Sequence, residues 1–265
     1  MDSFQKNGYH IIRRFLHTDD VLFFQNEIFK DLKIKDQIKS VGGQYQLIEN
    51  KNYWKLFTNH KLLNSVRFNL NNEEICFIQH TDMHFNFGSG IFHRDNSNRK
   101  FMSSPDWDEK KYKYGVVRVA IYLSSYFESG TSLYIIPGSH KNQTNIQILE
   151  IKIFNKIHSF FNKFKIQIPH FLFFSKLEKI KLEEGDLVFF DERVLHAGGK
   201  INYKKPKISI FFAYGLKNQH TKNHLNFLSK QNKNQIKSEN SYHKNIPADL
   251  EKELREKNIF YDNYS

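Results

Sequence analysis

A chain of 265 residues with 39% hydrophobic and 26% charged residues has the balance of a globular protein, and its one cysteine, Cys76, excludes an internal disulfide framework. No stretch approaches the roughly 18 apolar residues of a membrane span, and the opening Met1-Asp2-Ser3-Phe4-Gln5-Lys6 lacks an apolar signal core, so the cytoplasm is the expected compartment. The net charge of +12 fits an acidic partner such as nucleic acid, an anionic membrane surface or a phosphorylated substrate. The lysines are spread along the chain, however, without a compact basic helix or a nucleic-acid motif, and the Lys, Asn, Ile and Phe usage of an A/T-rich genome accounts for the same excess; nucleic acid is not the expected partner.

Residues 8–16 read as a short strand. Thr18-Asp19-Asp20 offers an N-cap to an amphipathic helix reaching about Leu32, with Val21, Phe24, Ile28 and Leu32 spaced by three or four. Gly42-Gly43 marks a turn, and residues 51–70 read as a second helix with Trp54, Leu56, Leu62, Leu63 and Val66 inward. From Glu74 the pattern changes to short β-like runs at 74–79, 82–87, 115–124, 131–136, 187–191 and 207–214. Turn signals separate them at Gly88-Ser89-Gly90, Glu128-Ser129-Gly130, Pro137-Gly138-Ser139 and Gly185-Asp186. Cys76 lies within the first apolar run and reads as a small buried hydrophobe. Many short strands, with 26 Phe to fill an interior, argue for a mainly β sandwich or jelly roll. Residues 146–180 carry Lys, Ile and Phe at helical spacing and read as a helical insertion. Residues 217–245 are polar and Asn/Lys-rich and read as a loop, before Pro247-Ala248-Asp249-Leu250 starts a C-terminal helix.

Three separated segments carry chemistry: Phe92-His93-Arg94-Asp95, Pro137-Gly138-Ser139-His140, and Gly185-Asp186-Leu187-Val188-Phe189-Phe190 leading to His196. Two imidazoles and a carboxylate in the order His-x-Asp…His are the ligand types of a non-haem Fe(II) facial triad, which leaves metal positions open for a co-substrate and O2. Residues i and i+2 of a strand share a face, so His93 and Asp95 can reach one metal. The motif alone does not select them. His-x-Asp also occurs at His17-Thr18-Asp19, where Asp19 reads as a helix cap, and at His80-Thr81-Asp82, where His84 follows on the same strand face and the three could bind a metal unaided.

The run Gly88-Ser89-Gly90-Ile91-Phe92-His93-Arg94-Asp95, then Val119 to Ser124, Ser129 to His140 and Gly185 to Phe190 with His196, resembles the phytanoyl-CoA dioxygenase family over about residues 4–215. The resemblance implies one oxygenase domain over 1–265: a double-stranded β-helix (jelly roll, cupin-like) at about 74–215, with N-terminal helices, the insertion at about 146–180 and a polar extension at 216–265. It implies His93, Asp95 and His196 as iron ligands, and 2-oxoglutarate and O2 as co-substrates. A basic residue about eleven positions after the distal His would hold the far carboxylate of 2-oxoglutarate. That position is Lys207, where the family usually has Arg, with Lys205 a near alternative; Lys supplies the charge without a bidentate fork. Gly198 stands where the family often has a small polar residue. Gln79, Tyr122 and Arg118 are candidate pocket residues, His140 a supporting one, and Arg94 points to the opposite strand face. The expected activity is hydroxylation of a small, possibly anionic molecule with release of succinate and CO2. The other reading of the same strands is a non-enzymatic jelly-roll module binding carbohydrate or an anionic ligand.

Overall fold

Alternation along the strands sets the architecture. In β4 (Val116–Tyr122), Val117, Val119 and Ile121 face one side while Arg118, Ala120 and Tyr122 face the other. β7 (Leu187–Asp191) divides the same way, with Leu187 and Phe189 opposite Val188 and Phe190, and so does β9 (Ile208–Leu216), with Ile208, Ile210 and Phe212 opposite Ser209 and Phe211. Both faces are therefore covered. The first packs against helices, and the second faces a smaller sheet and the cavity between the two sheets.

The computed structural model describes residues 3–34, 40–43, 46–71, 74–87, 90–99, 101–102, 113–202, 204–234 and 246–261. The large sheet has seven strands. β1 (Tyr9–Ile12), β7, β4, β9, β3 (Ile75–Phe85) and β10 (Ile259–Phe260) lie in that order, and β2 (Val41–Gly43) also pairs with β3. The three-stranded sheet runs β6 (Glu178–Lys181), β5 (Ser132–Ile135), β8 (His196–Gly198). The chain passes between sheets from β7 to β8 through a turn in which the Asp191 carboxylate accepts hydrogen bonds from the Arg193 amide and guanidinium at 2.9 Å. This is the expected jelly roll.

Helices α1 (Ser3–Asn7), α2 (Thr18–Asp31), α3 (Gln46–Glu49), α4 (Trp54–Phe57), α5 (His60–Asn69), α6 (Tyr126–Ser129), α7 (Asn145–Lys163), α8 (Gln219–Asn234) and α9 (Ala248–Glu256), with short 3-10 turns at Lys51–Tyr53 and Ser97–Arg99, complete the described elements. Val21, Phe24 and Ile28 of α2, Leu62, Leu63 and Val66 of α5, and Leu250 and Leu254 of α9 join the outer face of the large sheet in one core. Each such buried side chain contributes roughly 1.5–3 kcal/mol. Phe57 sits at the centre, 4.9 Å from the Phe77 ring and 5.0 Å from that of Phe212. Cys76 is buried, as its run implies. No helix among the described residues is long and apolar enough to cross a membrane.

Several elements differ from the sequence expectation. The helix start at 18 is capped by the backbone of His17, with no side-chain capping bond, so Asp19 and Asp20 act on the first-turn dipole instead. The helix read over 51–70 is broken at Thr58-Asn59, because the Asn59 side chain accepts from the Leu62 amide at 3.1 Å and starts α5 afresh. Gly42-Gly43 is strand, not turn; a Cβ at Gly42 would meet the Phe87 ring at 2.8 Å. The runs 74–79 and 82–87 form one strand, β3, with a register shift between Ile78 and Asp82. The insertion is α7 followed by irregular chain and a strand, β6. Residues 219–234 are helix rather than loop, because His220, Leu225 and Leu228 are buried among the polar residues; 235–245 and Gly88-Ser89 lie outside the described residues.

Candidate metal centre and its cavity

His93 and His196 meet at the β8 edge of the smaller sheet. The amide of each donates to the carbonyl of the other at 3.0 Å, a single bridge rather than a strand pair. This closed pair fixes both backbones and sets the rings 4.4 Å apart. Both imidazoles turn the same way. Nδ1 of His93 lies 2.9 Å from the Ile91 carbonyl, and Nδ1 of His196 lies 3.0 Å from that of Val194. A carbonyl only accepts, so each Nδ1 carries the proton and each Nε2 lone pair is left for a metal. Both Nε2 atoms face Asp95: His93 Nε2 is 3.4 Å from Oδ1, and His196 Nε2 is 3.7 Å from Oδ2. One donor atom from each of the three lies within 4.8 Å of the others.

The electrostatics match that donor set. Burial pushes the His196 imidazolium down to about 4 against the pull of Asp95, so the ring is neutral at neutral pH, the form that ligates. Burial opposes ionisation of Asp95, but the imidazoles of His196 and His93 and the guanidinium of Arg118 outweigh it and hold the carboxyl well below the usual carboxylate range. Arg118 Nε stands 3.9 Å from Asp95 Oδ2. The same guanidinium pairs with Asp82 and donates to the His80 carbonyl, which fixes it as a strut between β4 and β3.

A cavity of about 410 Å³ opens on the triad between the sheets, lined also by Tyr122, Ser132, Lys207, Ser209 and Phe211. Lys207 is buried, and among the described residues its ammonium meets one partner, the Gly199 carbonyl at 3.2 Å. Burial alone pushes it down to about 8. No carboxylate among the described residues neutralises it, so the cavity has an inner wall that lacks an anion. The close approach of β8 to β5 here needs glycine: a Cβ at Gly199 would fall 1.9 Å from the Ser132 hydroxyl. Tyr122 lines the same cavity, and burial raises its phenol, with the Asp95 charge adding to the effect.

The remaining residues singled out from sequence lie elsewhere or serve differently. Gln79 is fully buried, outside the cavity lining, and accepts from the Tyr261 hydroxyl at 3.3 Å. Lys205 pairs with Glu128 at 2.7 Å on the surface. Arg94 points away from the triad and donates to the Ser139 carbonyl at 2.9 Å. His140 packs under the N-terminal turn, where a Cβ at Gly8 would meet its ring at 2.6 Å and the backbone requires a positive φ of 82°. His80, Asp82 and His84 do not converge on one metal. Asp82 goes to Arg118, while His84 stacks against Phe87 at 4.3 Å and Phe211 at 4.8 Å. His80 instead joins Glu192 and His224. His80 Nδ1 is 3.3 Å from Oε1 of Glu192, and His224 Nε2 is 3.1 Å from Oε2. The Glu192 carbonyl in turn accepts from the Asp95 amide at 2.8 Å, so this buried group braces the triad. Sequence reading missed it. His80 is visible but grouped with Asp82 and His84; Glu192, acidic after the apolar strand β7, is the other signal, and His224 lies in the stretch read as loop.

No protein-family model matches this chain, and no curated protein matches its sequence. Solved structures do match its fold. HygX from Streptomyces hygroscopicus, with nickel, 2-oxoglutarate and hygromycin B bound, superimposes at a TM-score of 0.60 with 16% identity, covering 81% of this chain and 85% of that one. The non-haem α-ketoglutarate-dependent epimerase SnoN from nogalamycin biosynthesis matches at 0.55 and 13% over 81% and 80%. The non-haem α-ketoglutarate-dependent carbocyclase SnoK, from the same biosynthesis, matches at 0.56 and 11% over 81% of both chains. The chain thus has the jelly-roll fold that these proteins share.

Proposed function

We propose that this protein is an Fe(II)- and 2-oxoglutarate-dependent dioxygenase, one oxygenase domain related to the phytanoyl-CoA dioxygenase family, that oxidises a small molecule. The observation that carries the reading is one cavity holding both a His93/Asp95/His196 donor set and a buried ammonium, Lys207, that has no carboxylate partner among the described residues. The donors fit a divalent iron: two imidazoles whose Nδ1 atoms are taken by backbone carbonyls, so that each presents Nε2, and one ionised carboxylate. Lys207 fits the far carboxylate of 2-oxoglutarate, and Ser209 and Tyr122 line the space beside it. When bound, the iron with 2-oxoglutarate and O2 supplies oxidation of a substrate C–H bond, with succinate and CO2 released.

The chain's own residues do the rest. Asp95 would hold a metal position that could otherwise admit another anion, which favours hydroxylation. The His196 and His93 rings hold Asp95 ionised, and the Arg118 guanidinium at 3.9 Å adds to the effect. His84, Phe87, Phe211 and Leu228 give the cavity an aromatic and aliphatic wall, and Arg99, exposed at its lining, favours an anionic substrate. The test is anaerobic titration of apoprotein with Fe(II) and 2-oxoglutarate. A weak visible charge-transfer band is expected, together with succinate formation once O2 is admitted. Asp95→Ala should diminish the band by at least about tenfold. A wild-type protein that gives no band and no succinate, yet is folded, would leave the jelly-roll binding module as the better account.

A further inference from the structure

Helix α7 has two apolar faces, and only one is used. Ile151 and Phe154 pack inward, and the Asn155 side chain both accepts from the Phe92 amide and donates to the Phe92 carbonyl, at 2.9 Å each, next to His93. The other face carries Ile146, Leu149, Ile153, Ile157, Phe160 and Phe164, all 38–62% exposed. At about 100° per residue these six fall within an arc of roughly 80°. The stripe continues into a protruding loop where Phe171 is 40%, Phe173 81% and Phe174 79% exposed. That loop is built, not frayed: the buried Glu150 carboxylate accepts the amides of Phe173, Phe174 and Ser175, the last two at 2.9 and 3.0 Å. So long an apolar surface is unusual on a monomer.

Its rim is of one sign. Residues 145–181 contain seven lysines and two glutamates. Glu150 is occupied by the loop and Glu178 by Lys176 at 2.7 Å, whereas Lys152, Lys156 and Lys163 line one edge of the stripe, exposed. We propose that α7 and the Phe171–Phe174 loop dock on an anionic lipid surface, aromatic tips in the headgroup boundary and lysines on the phosphates. A helix of high amphipathicity with lysine flanks and Phe, Leu and Ile on the inserted face lies in such an interface. In an antiparallel two-fold pair of this face the lysine edge would meet its own copy. The docking stands independently of the reaction in the cavity.

The test is co-sedimentation of the full chain with vesicles of phosphatidylcholine alone or mixed with phosphatidylserine, with size-exclusion light scattering in parallel. Binding to the mixed vesicles, weakened by salt and at least about tenfold poorer on phosphatidylcholine alone, is expected. Phe173→Ser with Phe174→Ser, exposed sites whose loss leaves the core intact, should reduce it about tenfold or more, as should Lys152→Glu with Lys156→Glu, at unchanged circular dichroism. Failure of wild type to bind either vesicle overturns the proposal. So does a wild-type dimer that the Phe variants convert to monomer, which would make a second copy the occupant.

Discussion

Lys207 is a buried cation whose native surroundings favour its neutral form. Its folded value of about 8 lies below the ordinary 10.5 of lysine because burial disfavours the ammonium. Below pH about 8 both native and unfolded chains hold the proton, and the native state carries a penalty of about 3 kcal/mol. Between about 8 and 10.5 the native state releases the proton while the unfolded chain keeps it, so this group's contribution becomes more favourable as pH rises through that window. Lys207→Met should therefore stabilise the ligand-free protein by about 2 kcal/mol at neutral pH and abolish that pH-dependent rise, read from urea midpoints. The same variant should raise the KM for 2-oxoglutarate about 100-fold, through loss of a charge-assisted bond, while Lys207→Arg keeps part of the affinity. A Met variant that is neither stabilised nor impaired would remove Lys207 from the anchor role.

At the scale of elements, α8 is the least expected part and the most consequential for the site. It packs beside β3 and β9 and delivers His224 to Glu192, whose carbonyl holds the Asp95 amide. His224→Ala leaves a fully buried carboxylate short of a partner and should destabilise by about 2–3 kcal/mol. Iron affinity should fall as Asp95 loses its brace, measured by metal titration on protein shown folded; unchanged affinity would reduce the group to a structural one. The strands of the jelly roll were legible because alternation along β4, β7 and β9 marks two buried faces. The continuity of β3 was not, because the polar residues Gln79 to Asp82 sit at the register shift and break the alternation there, so one strand reads as two. Helix α8 was hidden by composition: a few buried side chains among Asn and Lys hold it, and propensity does not report them. The triad could be ordered from sequence, whereas Glu192 and Arg118 acquire their roles only when strands distant in the chain are brought together.

For the whole molecule, the site lies in the seam between two sheets, so occupancy and global stability are linked. β8 and the His93 bridge belong to the smaller sheet, while Arg118 and Lys207 come from the large sheet and its approach. A metal bound to His93, Asp95 and His196 with an anion on Lys207 would tie one sheet to the other, and neither ligand alone does this. Ligands that bind only the native state stabilise by mass action, about 2.7 kcal/mol at a hundredfold excess over Kd. For a chain of this size that corresponds to roughly 5–10 °C in Tm. Thermal unfolding under anaerobic conditions should show a small rise with Fe(II) or Mn(II) alone, little with 2-oxoglutarate alone, and a larger-than-additive rise with both. Chelation should reverse it. In Lys207→Met the metal-only rise should survive and the synergy vanish, and in Asp95→Ala both should be lost. That pattern separates a metal bound at the triad from adventitious binding by surface histidines, which would raise Tm equally in all three proteins.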